Sequence, residues 1–175
     1  MLLTGTEVSI VAELDASMQS NQLGLVFFFW CGASLIGGLI YGSMKRVVSP
    51  LLLLLFMAIL TIPMYFAWDT WSLALLSALP GFLCAPTLSA ASEWLTDLVA
   101  EKRRGEAMGW YGSAMTAGTA LGSPVTGLFV DNVGPDYAFV AIGVMAAVVV
   151  LVALAAQQIR RRVRRAQKRR WETTV

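Results

Sequence analysis

Residues 137–159 read YAFVAIGVMAAVVVLVALAAQQI and lead directly into RRRVRRAQKRR at 160–170. The first stretch holds no Asp, Glu, Lys or Arg, and as a helix it is long enough to cross a hydrocarbon core of about 30 Å. The second stretch carries eight positive charges in eleven residues, which lipid tails do not accommodate. This junction predicts a transmembrane helix that ends at a membrane surface.

The rest of the chain repeats this pattern, because residues 16–44, 47–68, 70–92 and 107–130 are also free of charged side chains. Charged residues make up only 14% of the sequence, against about 25% in soluble domains. We therefore expect an all-α, polytopic membrane helix bundle. The expected spans lie near 22–43, 49–67, 71–93, 107–130 and 137–158. Prolines 63, 80, 86 and 124 are expected to kink these helices without ending them.

Residues 1–14 are mostly apolar, but as a helix they would rise only about 21 Å, which is too short to span a bilayer. A signal peptide would begin with basic residues, and the first basic residue here is Lys45. We interpret the segment as the outer part of a first helix whose beginning is missing. A short re-entrant or interfacial segment is the alternative. The expected domains are a transmembrane half-bundle at 1–159 and a basic tail at 160–175.

The charges are divided between alternate connections, although the net charge is only +2. All 13 basic residues lie in the connections near 44–49 and 98–106 or in the tail. The charged residues of the other connections, at 13–21, 68–71 and 131–136, are all acidic. With five full spans, alternate connections face the same side, and positive charge marks the cytoplasmic side. The sequence therefore predicts a multi-pass cell-membrane protein with a cytoplasmic tail.

Catalysis is not expected. The chain has no histidine and only two cysteines, Cys31 and Cys84, so His-dependent nucleophilic sites and most zinc sites are excluded. Both cysteines lie in apolar runs, where a free cysteine commonly acts as a small packing residue. We expect no cofactor and no metal.

Small and hydroxyl-bearing residues line two of the predicted spans. Ser34, Gly38 and Gly42 recur every four positions, which is typical of a tight moving interface or of ordinary helix packing. The span at 107–130 is rich in glycine, with Gly109, Gly118, Gly122 and Gly127 beside Pro124. On a helix, Gly112, Thr116, Thr119, Ser123 and Thr126 form one stripe. Such a stripe lines a water-filled path or hydrogen-bonds to a neighbouring helix, and we favour the path.

Acids near the spans are candidate functional groups. Glu7 lies inside an apolar segment, with Thr4 on the same helical face, and an intramembrane acid is by default a functional hypothesis. We interpret Glu7 as a proton-coupling or substrate-binding group; a surface position is the alternative. Glu93 and Asp97 share a face near the basic residues Arg103 and Arg104. That arrangement is typical either of a charge latch between helices or of a solvated helix end.

Two stretches resemble the major facilitator superfamily, particularly its bacterial drug- and sugar-efflux branches. GGLIYGSMKR at 37–46 is similar to the family's loop Gly-x-x-x-Asp-Arg-x-Gly-Arg-Arg: Gly38 matches the first glycine, Gly42 replaces the aspartate, and Lys45 and Arg46 form the basic end. EKRRGEAMGWYGSAMTAGTALGSPVTGLFVD at 101–131 resembles the entry Arg-Arg-Gly-x-Ala-Met-Gly into a glycine-rich helix. Gly109, Gly118 and Gly122 keep the spacing of the antiporter motif, although Ser123 precedes Pro124 and Leu128 replaces its last glycine.

The resemblance implies half of a twelve-helix fold built from three-helix inverted repeats. The basic tail favours the C-terminal half over the N-terminal half. The resemblance further implies alternating access for a small molecule, exchange of that molecule against protons, and a cavity lined by the first, second, fourth and fifth segments. The implied partners are the lipid bilayer, a small-molecule substrate and either a missing half or a second copy. Nucleic acid is not expected. The rival interpretations are an incomplete fragment and a non-transporting membrane protein whose tail binds anionic lipid or a partner.

Overall fold

The structure is a computed structural model that describes residues 1–44 and 48–172. Within these ranges every regular element is helical, which confirms the expected all-α class. The helices are α1 (Leu2–Ala16), α2 (Leu23–Ser43), α3 (Pro50–Thr61), α4 (Thr70–Leu98), α5 (Arg104–Val133) and α6 (Pro135–Glu172). Short 3-10 turns at Ser20–Gln22, Ile62–Phe66 and Glu101–Arg103 complete the connections.

Three of the helical segments are long and apolar enough to cross a membrane: Leu23–Ser43, Thr70–Leu98 and Tyr137–Ile159. The expected count of five full spans is therefore not confirmed. The shorter apolar segment Pro50–Phe66 begins as α3 and changes to 3-10 geometry at Ile62, next to Pro63, which has no N–H to donate. Because a 3-10 helix rises faster per residue, the segment still extends about 28 Å.

The fifth helix, α5, differs from the others in composition rather than in length. It has 30 residues, which corresponds to about 45 Å of helix, but glycine and hydroxyl side chains replace much of the apolar surface. Pro124 lies inside α5, and Pro80 and Pro86 lie inside α4. At these three positions the helix continues through proline, as expected.

The two ends of the bundle carry different charges. At one end the α1–α2 and α3–α4 connections meet around a cavity of about 50 Å³ lined by Glu13, Gln19, Asp69 and Thr70, among others. The rings of Tyr65 and Tyr137, 5.2 Å apart, bring the start of α6 to the same end. The connection from α4 to α5, with its basic residues 102–104, lies at the other end. Acidic and basic connections are thus on opposite ends.

Aromatic side chains surround both ends. Trp68 is 89% exposed and Trp71 57% exposed at the acidic end, while Trp94 and Trp110 are exposed at the basic end. Trp and Tyr concentrate at the two interfaces of a bilayer, where an amphipathic ring meets the headgroups. Exposed tryptophans at both ends are the pattern expected of a bundle in a membrane.

The closest helix crossing joins α2 to α4. A Cβ atom added at Gly37 would overlap the Phe82 carbonyl oxygen, and one added at Gly81 would lie 2.8 Å from the Trp30 carbonyl oxygen. Lipid tails are as apolar as the helix surfaces, so helix association in a membrane depends on such close approach. Gly143 of α6 allows a similar approach to α3, where its added Cβ would lie 2.9 Å from the Ala58 carbonyl oxygen.

The helix pairs repeat within the chain. Suppose that α1, α2 and α3 correspond to α4, α5 and α6, in that order. The contact between α2 and α4 then corresponds to the one between α5 and α1, and the contact between α3 and α4 to the one between α6 and α1. The contact between α3 and α6 corresponds to itself, and all of these pairs are observed. These three pairs are compatible with two three-helix repeats, although among the described residues the α5–α6 contact has no counterpart of similar extent between α2 and α3. A buried core containing Ile10, Val26, Met57 and Phe139 lies between them.

Candidate functional site

The glycine-rich helix α5 packs against α1 at two of the predicted glycines. A Cβ added at Gly122 would lie 3.0 Å from Met1 Cα and 3.5 Å from Thr4 Cβ, and one at Gly118 would lie 3.5 Å from the Met1 nitrogen. Gly5, one residue further along α1, also packs against α5. A Cβ added at Gly5 would lie 3.0 Å from Thr126 Oγ1. The structure thus brings Thr4 to the α5 helix; we call the exposed surface beside this contact, with Thr116, Thr119 and Ser123 on α5, the groove.

Polar side chains from α1, α2 and α4 also lie near one another. Ser34 of α2 is a neighbour of the Cys84 thiol, and Glu7 and Cys31 lie near the same thiol. Glu7 and Cys31 are exposed, while Ser34 and Cys84 are partly buried. Three helices therefore contribute one polar cluster, which we call the Glu7 cluster (Glu7, Cys31, Ser34 and Cys84).

The Glu7 cluster lies at mid-depth in the bundle. Counted from the acidic end at about 1.5 Å per residue, Glu7 is about 14 Å from the end of α1, Cys31 about 12 Å from the start of α2 and Cys84 about 21 Å from the start of α4. A hydrocarbon core is about 30 Å thick. Helix rise therefore puts Glu7 about halfway along such a thickness, measured from the acidic end.

The hydroxyl stripe of α5 continues the groove beside the α1 contact. Thr119 follows Gly118 and Ser123 follows Gly122, and Thr116, Thr119, Ser123 and Pro124 are all exposed. Thr116 Oγ1 donates to the Gly112 carbonyl at 3.0 Å, and Thr119 Oγ1 donates to the Thr116 carbonyl at 2.8 Å. These hydroxyl protons are bound within α5 rather than to a neighbouring helix, so the oxygens offer lone pairs to the open side.

Glu7 is the one carboxylate of the Glu7 cluster. The sequence contains no Lys or Arg in residues 1–44 or 47–101, which include all of α1, α2, α3 and α4. Glu7 therefore has no basic side chain from these helices to neutralise it. An intramembrane carboxylate needs a proton, a cation or a partner from elsewhere.

At the basic end, a hydrogen bond joins α2 to α4. Tyr41 Oη donates to Glu93 Oε2 at 3.3 Å, and nearby an added Cβ at Gly38 would lie 3.1 Å from Ala85 Cβ. The charge latch considered from the sequence would instead pair Glu93 and Asp97 with Arg103 and Arg104. Among the described residues, Glu93, Asp97, Arg103 and Arg104 are all exposed, and the contact that Glu93 makes is with Tyr41.

Two predicted site groups remain outside this arrangement. Lys45 and Arg46 lie outside the described residues. Gly109 lies in the exposed first part of α5, with no atom within 4 Å of an added Cβ. The structure therefore places the contacts of this helix at Gly118 and Gly122.

Sequence reasoning missed Tyr41 and the role of the two cysteines. Tyr41 and Glu93 are 52 positions apart, and no local spacing connects them. Cys84 lies in a helix that is apolar on most sides, so no periodic stripe indicates which face meets Ser34. The one available signal was the position of Ser34 in the small-residue stripe of α2.

The chain matches the family model described as Major Facilitator Superfamily over residues 2–174. None of the curated proteins matches the chain. The family match spans all six helices, including the glycine-rich α5 and the contacts that repeat between the two sets of three helices. Proteins of this family are membrane transporters, and this chain belongs to the major facilitator superfamily.

Proposed function

We propose that the chain is a secondary active transporter, or half of one, that moves small amphipathic or sugar-like solutes across the cell membrane by alternating access. The observation that carries this proposal is the groove itself. The Glu7 cluster and the α5 stripe place polar side chains from four helices within an otherwise apolar bundle. A groove of this kind can hold a solute without altering it, so no chemistry on the substrate is proposed.

Proton-coupled efflux is the proposed driving reaction. Glu7 has no basic neighbour on α1 to α4, so protonation is one way to remove its charge when the groove is closed to water. If a solute and a proton occupy the Glu7 cluster in turn, movement of one is linked to movement of the other. Exchange of this kind expels the solute when protons flow inward.

The proposed arrangement in the membrane has five spans, with α1 as a shorter sixth segment. The basic connections and the tail at 160–175 are proposed to be cytoplasmic, because the sequence carries all 13 of its basic residues in them. The exposed hydroxyl and glycine side of α5 suits protein or water better than lipid. A second six-helix bundle, either a missing half or a second copy, is proposed to cover the groove.

Transport by the full chain in everted membrane vesicles tests the proposal. An imposed proton gradient should drive accumulation of an amphipathic solute, and Glu7→Gln should abolish uphill accumulation while downhill exchange survives. Glu106→Gln is the matched control, because Glu106 is an exposed acid at the start of α5, away from the groove. If the Glu7→Gln protein accumulates solute as well as the parent does, with the same dependence on pH, Glu7 is not the coupling acid.

A second candidate is a non-transporting membrane protein whose tail binds anionic lipid or a partner. It is favoured by one observation, the continuation of α6 to Glu172 through the eight basic residues of 160–170. Near an anionic surface each such charge contributes about 1 kcal/mol of attraction. Removal of residues 160–175 separates the two candidates: a transporter keeps its substrate specificity, whereas a tail-dependent scaffold loses its activity.

A further inference from the structure

The α1–α2 and α3–α4 connections enclose a cavity, which we call the acidic-end cavity. Glu13, Ser17 and Gln19 line it from the first connection, and Asp69 and Thr70 line it from the second. The Thr70 hydroxyl donates to Gln19 Oε1 and links the two connections. The cavity volume of about 50 Å³ is several times the roughly 10–15 Å³ that one water molecule needs. The space therefore accommodates a small polar group.

The polar atoms around the acidic-end cavity are mostly hydrogen-bond acceptors. The Ser17 hydroxyl donates to the Glu13 carbonyl at 2.9 Å, and the Thr70 hydroxyl donates to Gln19, so both hydroxyl protons are already bound. The Asp69 carboxylate accepts from the backbone of α4 as its N-cap, but a carboxylate has about four lone-pair sites. Apart from the amide of Gln19, these side chains offer lone pairs to a ligand.

The charge around the acidic-end cavity is negative. Two of its described lining residues are acids and none is basic, and residues 1–44 and 47–101 contain no Lys or Arg. Glu13 lies in the last turn of α1, where the helix dipole adds negative charge. Its Oε2 atom is out of contact with solvent. Because charges are less screened away from water, this burial strengthens the attraction of the cavity for a cation.

Size and hydrogen bonding identify the class of cation. Among the described residues, no group of three or more His, Cys, Asp or Glu side chains could hold a metal ion, which disfavours a divalent metal. A primary ammonium group has one positive charge and three N–H donors, which suit two carboxylates and their neighbouring oxygens. A quaternary ammonium has no N–H to donate. Trp68 lines the cavity and is 89% exposed, so an alkyl chain can reach the surface beside its indole.

We propose that the acidic-end cavity binds the primary ammonium group of a small organic amine, between the carboxylates of Glu13 and Asp69 and with the alkyl chain against Trp68. The described lining residues of this cavity include none of the Glu7 cluster and none of the α5 stripe. The site is therefore separate from the groove, and the inference goes beyond the proposed transport function.

Equilibrium binding to the full chain in an uncharged maltoside detergent tests the inference without requiring transport. Two probes of equal length, fluoropropylammonium and the uncharged fluoropropanol, are titrated and followed by fluorine NMR line broadening. The titrations give both dissociation constants. We expect the ammonium probe to bind at least about tenfold more tightly, because its N–H groups form charge-assisted hydrogen bonds with the carboxylates.

Glu13→Gln and Asp69→Asn each remove one negative charge at nearly constant size, and asparagine remains a good N-cap for α4. Each variant should weaken binding of the ammonium probe about tenfold and leave binding of the alcohol nearly unchanged. Asp131→Asn is the matched control, because Asp131 is an exposed acid near the end of α5 and is not among the described lining residues. This variant should keep the preference for the ammonium probe.

Circular dichroism and size-exclusion profiles show whether each variant is folded, and either lining variant alone is sufficient for the test. Equal binding of the two probes by the parent chain would overturn the inference, as would a preference that survives Glu13→Gln and Asp69→Asn. An equal loss in Asp131→Asn would also overturn it, since the effect would then be one of net charge. Absence of solute accumulation in vesicles counts against the proposed function only, because this binding assay requires no transport.

Discussion

Tyr41 of α2 donates a hydrogen bond to Glu93 of α4, with 3.3 Å between Tyr41 Oη and Glu93 Oε2, at the basic end of the bundle. The same two helices cross most closely at Gly37, whose missing side chain makes room for the Phe82 carbonyl. One contact is a polar link at the end of the pair and the other is a steric fit nearer its centre. Together they hold α2 close to α4 at two levels of the bundle.

Tyr41→Phe tests the polar link. The substitution removes the hydroxyl and keeps the ring, and an intramolecular hydrogen bond contributes about 0.5–1.5 kcal/mol. We expect a broader distribution of distances between spin labels at Ser43 and Trp94, as measured by pulsed electron paramagnetic resonance. Tyr111→Phe is the control, because Tyr111 makes no side-chain hydrogen bond within the described residues. A distribution identical to that of the parent would show that the bond does not restrain the two ends.

Gly37→Ala tests the steric fit. Its methyl group would overlap the Phe82 carbonyl oxygen, and forced overpacking typically costs about 1–3 kcal/mol. We expect a clearly lower midpoint of thermal unfolding in detergent. Gly32→Ala, on the same helix, has nothing within 4 Å of its added Cβ and should be neutral or stabilising, since alanine favours helix over glycine by about 1 kcal/mol. Equal midpoints for the two variants would contradict the crossing at Gly37.

The charge pattern of the sequence locates most helices to within a few residues. For example, the expected span at 22–43 is observed as Leu23–Ser43. The charge pattern fails where a helix continues through charged residues. It places Glu13 in a connection, whereas Glu13 lies in α1. Likewise, α4 continues beyond its uncharged window through Glu93 and Asp97. A charge marks where lipid ends, and a helix can continue into water or headgroups.

The candidate site was predictable only in part, for a related reason. Glu7 and the α5 stripe are chemically conspicuous in an apolar sequence, so each could be chosen from residue type and spacing alone. Cys84 could not, because α4 is apolar on most sides and nothing local shows which face approaches Ser34. Pairings across 50 residues are set by helix crossings such as Gly37 on Phe82, and one sequence carries no record of those contacts.

Orientation in the membrane is tested by labelling introduced cysteines from outside intact cells, in a chain whose Cys31 and Cys84 are replaced by serine. Trp68→Cys should react with an impermeant maleimide, and Gly105→Cys should react only after lysis. Both positions are exposed and lie at opposite ends. Trp68 is a better site than Asp69, whose side chain caps α4 and whose loss would cost about 0.5–2 kcal/mol. The reverse labelling pattern would mean that the basic end is external.

The last prediction concerns Thr116 and Thr119. Valine has nearly the shape of threonine, and each hydroxyl proton bonds only to a carbonyl of the same helix, so Thr116→Val and Thr119→Val should leave stability almost unchanged. Transport should fall, because an exposed acceptor oxygen is lost from the groove. If a ligand hydrogen bond is worth about 1 kcal/mol, the loss is roughly fivefold for each variant.

Thr61→Val is the matched control for these two variants. Thr61 is fully buried in α3 and also donates to its own helix, at 3.0 Å from Oγ1 to the Met57 carbonyl, but it lies in the core and not in the groove. It should therefore change stability no more than the others and leave transport intact. Initial rates at equal amounts of protein in the membrane give the comparison. If all three variants transport alike, the α5 stripe is a packing feature, and the solute has to bind to other residues.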